Sequence, residues 1–469
     1  MKRTKIVATI GPKSESKEIL KKLSKSGVNV YRLNFSHGTY EEHGAKIDSI
    51  REVCPQGAIM LDTKGPEIRT GEVRGKLFLR VGDKFTMTIE KGVYENTGKI
   101  SVNYKNFIKD VAVGDVIVFD SGVMLAKALR KTATDIEFKV IEGQTNITTK
   151  RHINLFGKPV SLPTVTEQDW KDIDFGISKN VDMIALSFVR TGKDVKSVKE
   201  YCIKKKHSSI QIISKIENFE STQNLEDIII ESDGIMVARG DLACEIPFSK
   251  VPSIQKKIIA LCSYYKKPVI IATQMLLSMV ENIQPTRAEV SDVANAVFER
   301  ADAVMTSDET TKGSDPVNVI SVMSKIATDT EEEIYSYYPD EDCGCSSIAF
   351  DSYKGDMIPI LSDYMDKVDA IAVISNNPKY VNSISSTRID VPIISFSSDQ
   401  TLVNNQNLIW NTSPYFLNIG DNWSKNLELA EEKLKKDFKS FKNFLIVFEM
   451  DGNLTLQIKS LKTSKKSKN

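Results

Sequence analysis

The run IQIISKIEN, residues 210–218, decides how this chain folds. Its apolar residues continue almost unbroken until Lys215, and Glu217 follows two positions later. A short apolar run bounded by polar residues reads as a strand buried on both faces. Residues two apart in a strand point to the same side, so Lys215 and Glu217 stand side by side at the end of a buried strand. Opposite charges in that place need a task.

Seven further runs read the same way. They are TKIVATIG (4–11), VNVYRLNFS (28–36), AIMLDTKG (58–65), DMIALSFV (182–189), GIMVARGD (234–241), PVIIATQM (268–275) and ADAVMTSDE (301–309). Between them lie stretches with apolar residues at helical spacing, such as SKEILKKLSKSG (16–27) and KVPSIQKKIIALCSYYKK (250–267). Alternating strand and helix implies parallel strands. Eight such units predict a closed (β/α)8 barrel. An open doubly wound sheet is the alternative, but no glycine-rich dinucleotide fingerprint follows the first strand.

One connection is too long for this scheme. Between Gly65 and Asp182 the texture changes to short strand-like runs joined by Gly/Asp turns, as in GEVRGKLFLRVGDKFTMTIE and VAVGDVIVFDSG. This predicts a small β domain, expected as a β-barrel, over residues 70–158. Inserted after the third strand, it hangs over the C-terminal mouth of the barrel as a lid. The barrel is then 1–69 and 159–335. Residues 336–469 read as a C-terminal α/β domain, with strands in DKVDAIAVIS, VPIISFSS and FLIVFEM and a helix in LELAEEKLKKDF.

In a closed barrel, functional groups gather at the C-terminal strand ends. The second strand ends in Arg32, Asn34, Ser36 and His37; the third in Asp62, Thr63, Lys64, Glu67 and Arg69. The fifth carries Lys215 and Glu217, the sixth Arg239, Gly240 and Asp241, the seventh Thr273 and Gln274. Glu217 and Asp241 come from adjacent strands, and few protein ligands with open positions suit Mg²⁺. Buried Lys215–Glu217 or Arg239–Asp241 ion pairs are the plainer reading, against which five contributing strands weigh. Asn34, Ser36, Asp62 and Thr63 offer oxygens alone, which suits a hard cation, although Ser36 and Thr63 also fit turn chemistry. Arg32 and Lys215 supply fixed positive charge for a phosphoryl group. Gly240 permits close backbone approach, and the N–H groups after it fit a carboxylate. These residues alone reach a magnesium-dependent enzyme acting on a small phosphorylated acid.

The bulk numbers agree with a soluble enzyme. The chain has 469 residues, 27% of them charged, and a formal net charge of +1, so no global field favours nucleic acid or a membrane surface. The cysteines sit mostly singly in apolar or helical runs, as reduced thiols of a cytoplasmic protein do. Cys343 and Cys345 form one close pair without a second ligand pair for zinc. MKRTKIVATIGPKS lacks the apolar length of a leader, no run is long enough to span a membrane, and KTSKKSKN reads as a solvated tail.

The stretches KIVATIGPKS, YRLNFSHG, LDTKGPEIRTG, ISKIEN, VARGDL, IIATQML and PTRAEVSDVANAV together resemble the pyruvate kinase family, in the family's order, with the β insertion in the family's place. The resemblance implies phosphoryl transfer from phosphoenolpyruvate to ADP, giving ATP and pyruvate, the last step of glycolysis. It implies Mg²⁺ (or Mn²⁺) on Glu217 and Asp241, and K⁺ on Asn34, Ser36, Asp62 and Thr63. Lys215 and Arg32 then meet the phosphoryl group, Thr273 lies by the carbon that is protonated, and Gly240 and Asp241 receive the substrate carboxylate. Asn34, His37 and Arg69 fall at nucleotide positions. Glu67 goes with K⁺ dependence in the family, so a K⁺ requirement is expected; pairing with Arg69 or Lys64 is the plainer reading of Glu67 and does not exclude it. A homotetramer is also implied. Departures include Asp308, where the family has glycine, Leu277, and Ala243 after Arg239-Gly240-Asp241-Leu242. The stretch Ser375-Asn376-Asn377-Pro378-Lys379 lacks the glycines of a phosphate-cradling loop, so activation by fructose 1,6-bisphosphate is expected to be lost.

Overall fold

Eight parallel strands close into a barrel in chain order: Lys5–Thr9, Val30–Asn34, Ala58–Asp62, Met183–Leu186, Gln211–Ile216, Gly234–Ala238, Val269–Ala272 and Ala303–Thr306. The structure is a computed structural model and describes residues 2–75, 77–337, 364, 366–420, 422–450 and 453–461. Pairing of the first strand with both the second (Val7 opposite Val30) and the eighth (Lys5 opposite Ala303) closes the ring. The strands read as apolar throughout because both faces are covered. One face fills the barrel with Val7, Val30, Met60, Met183, Ile213 and Met236. The other meets helix residues such as Leu20, Leu23, Ile47 and Ile50.

The helices start where the sequence supplies caps. Thr39 opens Tyr40–Val53 and Thr286 opens Arg287–Phe298, each in a reciprocal box with Glu42 or Glu289. Gly27, at φ +113°, ends Lys17–Ser26 and turns the chain toward the second strand.

Between the third and fourth barrel strands the chain builds a second sheet. Its order is Ile68–Arg69, His152–Leu155, Val116–Phe119, Met124–Lys131, Asp135–Ile147, Lys84–Thr88 and Ile100–Ser101, with Leu77–Arg80 also on the long strand. The two ends of this path meet at one bridge, Thr70 with Val102, so the sheet curls around Phe85, Phe107, Phe119 and Phe138. Entry and exit strands pair directly, His152 opposite Arg69, so the insertion leaves and returns at one place.

A third sheet runs Thr412–Phe416, Ile393–Ser397, Ala370–Ile374, Asn443–Met450 and Asn453–Ser460, the last strand antiparallel. Sequence reading finds its three central strands and the helix Trp423–Asp437, and misses both edges. Thr412–Phe416 carries Pro414 and Ser413, and Asn453–Ser460 alternates polar with apolar residues, so neither shows a continuous apolar run. This unit caps the N-terminal end of the barrel. Leu408 enters the barrel core, Arg388 pairs with Asp302 at 3.0 Å, and Asn404 donates to Asp182 at 2.9 Å. Cys343, Cys345 and the tail 462–469 lie outside the described residues. The described cysteines Cys54, Cys202, Cys244 and Cys262 are buried.

Candidate active site

Asp62, at the end of the third barrel strand, is the hub of the mouth. Its buried carboxylate accepts from Arg32 Nε at 2.6 Å and from Lys215 Nζ at 3.1 Å. Burial penalises its charge, but Arg32 and Lys215 outweigh that and hold the acid below its ordinary pKa. Arg32 also donates to Thr9 Oγ1 at 2.8 Å. The strand register sets Asn34 directly beside Asp62.

Lys215 and Glu217 do stand side by side, 3.2 Å apart. Lys215 also donates to Ser187 Oγ at 2.7 Å. Burial pulls the lysine's pKa down, yet Asp62 and Glu217 overcome this and keep it above the ordinary value. Glu217 is fully buried. Its Oε1 accepts from the Phe188 N–H at 2.7 Å, while Oε2 faces Lys215 without a hydrogen bond. Burial drives the Glu217 pKa up to about 7; Lys215 offsets part of this, and Asp241 and Asp62 add to it by repulsion.

Lys215 is the only cation beside this buried carboxylate among the contacts above, and the acidic neighbours Asp241 and Asp62 oppose its charge. A divalent cation held by Glu217 and Asp241 would add positive charge there, so the residues present fit one. Among the described residues no three His, Cys, Asp or Glu side chains gather into a metal cage. Two carboxylates completed by water and substrate oxygens is the coordination this mouth offers, and it suits Mg²⁺ or Mn²⁺.

A second bonded group forms at the ends of the sixth and seventh strands. Thr273 and Gln274 follow the seventh strand at φ +71° and +55°, a strained left-handed turn. That turn lets Thr273 Oγ1 accept the Gly240 N–H at 2.8 Å. Arg239 donates to the Thr273 carbonyl at 2.7 Å and grips Asp292 with two bonds of 2.7 Å. Arg239 therefore pairs with Asp292, not with Asp241. The Gly240 N–H expected to meet a carboxylate is engaged by Thr273, while Asp241 N–H lies in the first helical turn, where no internal partner exists.

The remaining expected residues line the rim. Asn34 Oδ1 accepts from the Ser36 N–H at 3.1 Å, which is turn chemistry, whereas Thr63 Oγ1 accepts from the Ser187 N–H at 3.0 Å, a bond across to the segment after the fourth strand. Glu67 receives two 2.8 Å bonds from Arg69 and lies 3.4 Å from Lys64. Arg69 also reaches the Lys150 carbonyl at 2.6 Å, tying the rim to the insertion. Lys64, Glu67, Arg69 and Asn103 line a groove of about 300 Å³, within the range of ligand pockets. His37 is exposed, and its carbonyl accepts from His43 Nε2, whose ring stacks on Phe35 at 4.0 Å.

Sequence reasoning missed Ser187. This residue directly follows the fourth strand, donates to the Thr63 carbonyl at 2.6 Å and receives Lys215. The signal was there: a small polar residue closing the run DMIAL, at the end where the other strands carry theirs. Of the departures, Asp308 pairs with Lys312 at 3.0 Å on the surface, Leu277 is 40% exposed, and Ala243 packs beside Leu242.

The family model for the pyruvate kinase barrel domain matches residues 1–320. Plastidial pyruvate kinase 3 of Arabidopsis thaliana is 38% identical over 443 residues, covering 92% of this chain and 76% of the relative. Pyruvate kinase of Bacillus licheniformis is 40% identical over 444 residues, covering 93% and 75%. Pyruvate kinase of Geobacillus stearothermophilus is 42% identical over 421 residues, covering 87% and 70%.

Proposed function

We propose, from the premise that this chain belongs to the pyruvate kinase family of phosphotransferases, that its barrel mouth transfers the phosphoryl group of phosphoenolpyruvate to ADP. The observation that carries this reading is the bonded group Arg32–Asp62–Lys215–Glu217, buried at the C-terminal strand ends. Phosphoryl transfer needs positioned positive charge more than covalent chemistry. Lys215, kept charged by two carboxylates, is aimed by Asp62 and Ser187 at the phosphoryl group in flight. Arg32, held by Asp62 and Thr9, binds the same phosphate. Glu217 and Asp241 would hold Mg²⁺ or Mn²⁺, which when bound neutralises charge on phosphoryl and enolate oxygens. Thr273 borders the carbon that takes a proton, and the Gly240–Asp241 turn seats the carboxylate. Arg69, which lines the rim groove, contacts the nucleotide together with His37 and Asn34.

K⁺ is assigned to Asn34, Ser36, Asp62 and Thr63, with Glu67 setting the requirement. Fructose 1,6-bisphosphate is not expected to act through residues 375–379. There Asn376 is occupied by Ser397 and Ser398, and Asn377 caps the helix Pro378–Ser386. The same reading gives a catalytic barrel of 1–69 and 159–335, a lid of 70–158 and a C-terminal unit of 336–469. It also gives a cytoplasmic homotetramer. Exposed Ile283 and Phe298, flanking the helix Arg287–Phe298, are apolar surface that a subunit contact would cover. No helix among the described residues is long and apolar enough to cross a membrane.

The test is a coupled assay of pyruvate formation from phosphoenolpyruvate and ADP with Mg²⁺, run with K⁺ and then with a bulky organic cation. Turnover that collapses without K⁺ is expected. Turnover indifferent to K⁺ discards the monovalent site. Folded protein that binds ADP without turnover discards the reaction.

A further inference from the structure

Glu245 is a buried carboxylate that the phosphoryl-transfer scheme leaves without work. It ends the helix Arg239–Glu245, one turn after Asp241. Its Oε1 accepts from Asn154 Nδ2 at 3.1 Å, and its Oε2 from the Phe219 N–H at 3.2 Å. Its backbone carbonyl accepts from the Gly157 N–H at 2.8 Å. Asn154 sits on His152–Leu155, the strand by which the inserted sheet returns to the barrel, and Gly157 lies just beyond it. Phe219 comes two residues after Glu217. One side chain therefore joins the return strand of the insertion to both segments that carry the metal carboxylates.

The surroundings make this junction stiff. Leu242, Ile246 and Val251 form a small apolar cluster with Phe219 packed against it. The same helix packs on the turn Asp120–Gly122 of the insertion. Burying a carboxylate is costly, and two N–H donors from different segments offset that cost only while both segments hold their places. A shift of the return strand thus pulls on Asp241 through the helix and on Glu217 through Phe219.

We propose that Glu245 is the positioning residue that couples the inserted lid to the spacing of Glu217 and Asp241. This rests on the reading of those two carboxylates as metal ligands. Partners that orient metal ligands typically cost about 10–100-fold in affinity or activity when removed.

The test uses full-length wild type, E245A, N154A and E245Q, with kcat, KM for phosphoenolpyruvate, Mn²⁺ affinity by electron paramagnetic resonance, and melting of each. E245A and N154A are expected to weaken Mn²⁺ binding and lower kcat about ten-fold at temperatures where both stay folded. E245Q is expected to recover most of that loss. With its carbonyl oxygen in the place of Oε2 it accepts from Phe219, and its amide donates to Asn154 Oδ1, an oxygen without a partner in the wild type, once the Asn154 amide flips. Should E245A fold poorly, N154A breaks the same junction from the lid side. Wild-type Mn²⁺ affinity and kcat in both truncations overturn the proposal, as does an E245Q no better than E245A, since charge and not bonding would then matter. Wild type that binds no Mn²⁺ at all removes the metal reading itself, a different failure visible before any variant is made.

Discussion

The two ends of the barrel both bury carboxylates, and they treat them differently. At the N-terminal end Asp182 accepts from Arg51, the Ile59 N–H and Asn404, while Asp302 accepts from Arg388 and the Val269 N–H. Each oxygen there has a donor, and Leu408 seals the floor between them. At the mouth, Glu217 keeps an oxygen without a hydrogen bond and sits among acidic neighbours. Burial raises the pKa of both Asp182 and Glu217, so burial alone does not separate the ends. For these carboxylates bonding does: both oxygens of Asp182 and of Asp302 have donors within the chain, whereas Oε2 of Glu217 has only the charge of Lys215 at 3.2 Å. This matches the division of labour expected of such barrels, stability below and chemistry above.

Substitutions at the two ends should separate by their effect on kcat. The largest effect belongs to Lys215. K215M is expected to lower kcat about 10³-fold, about 4 kcal/mol in the barrier, because a charge aimed at the transition state is lost, and to lower the melting temperature as well, because buried Asp62 and Glu217 lose their partner. Steady-state assays beside calorimetry check this. On the floor the effect inverts. L408A opens a cavity in the barrel core and should cost about 3 kcal/mol of stability in urea unfolding, with kcat at 25 °C unaltered. Next comes Ser187, which steers Lys215. S187A removes a hydrogen bond to a charged group and should lower kcat about ten-fold, with KM for ADP unmoved. The smallest effect is expected at Asp308. D308G loses only a surface ion pair with Lys312, and both stability and turnover should stay within about 0.5 kcal/mol of wild type. A large gain in turnover from D308G would mean that this residue reaches the mouth after all.

The same contrast explains what the chain let a reader see in advance. The barrel was legible because its strands are continuous apolar runs, and the mouth because polar residues recur where those runs stop. Lys215 beside Glu217 followed from strand geometry alone. The floor was opaque: Leu408 and Arg388 belong to a distant unit, and nothing local announces that they will meet Met60 or Asp302. The partner of Arg239 was equally hidden, since Asp292 lies on another helix and no spacing rule links them. Glu67 illustrates a different limit. Both candidate partners for it were visible in the sequence, and the structure shows it engaged by both.

The most direct test of the mouth as an unfinished site is Mn²⁺ binding to the wild type and to E217Q, measured in the same buffer. The amide keeps the size and the bond from Phe188 but removes the buried charge. Wild type is expected to bind Mn²⁺ and E217Q to bind at least about ten-fold more weakly, with melting unchanged or raised. Equal affinity in the two proteins would contradict it, and would mean that Glu217 is closed by Lys215 alone.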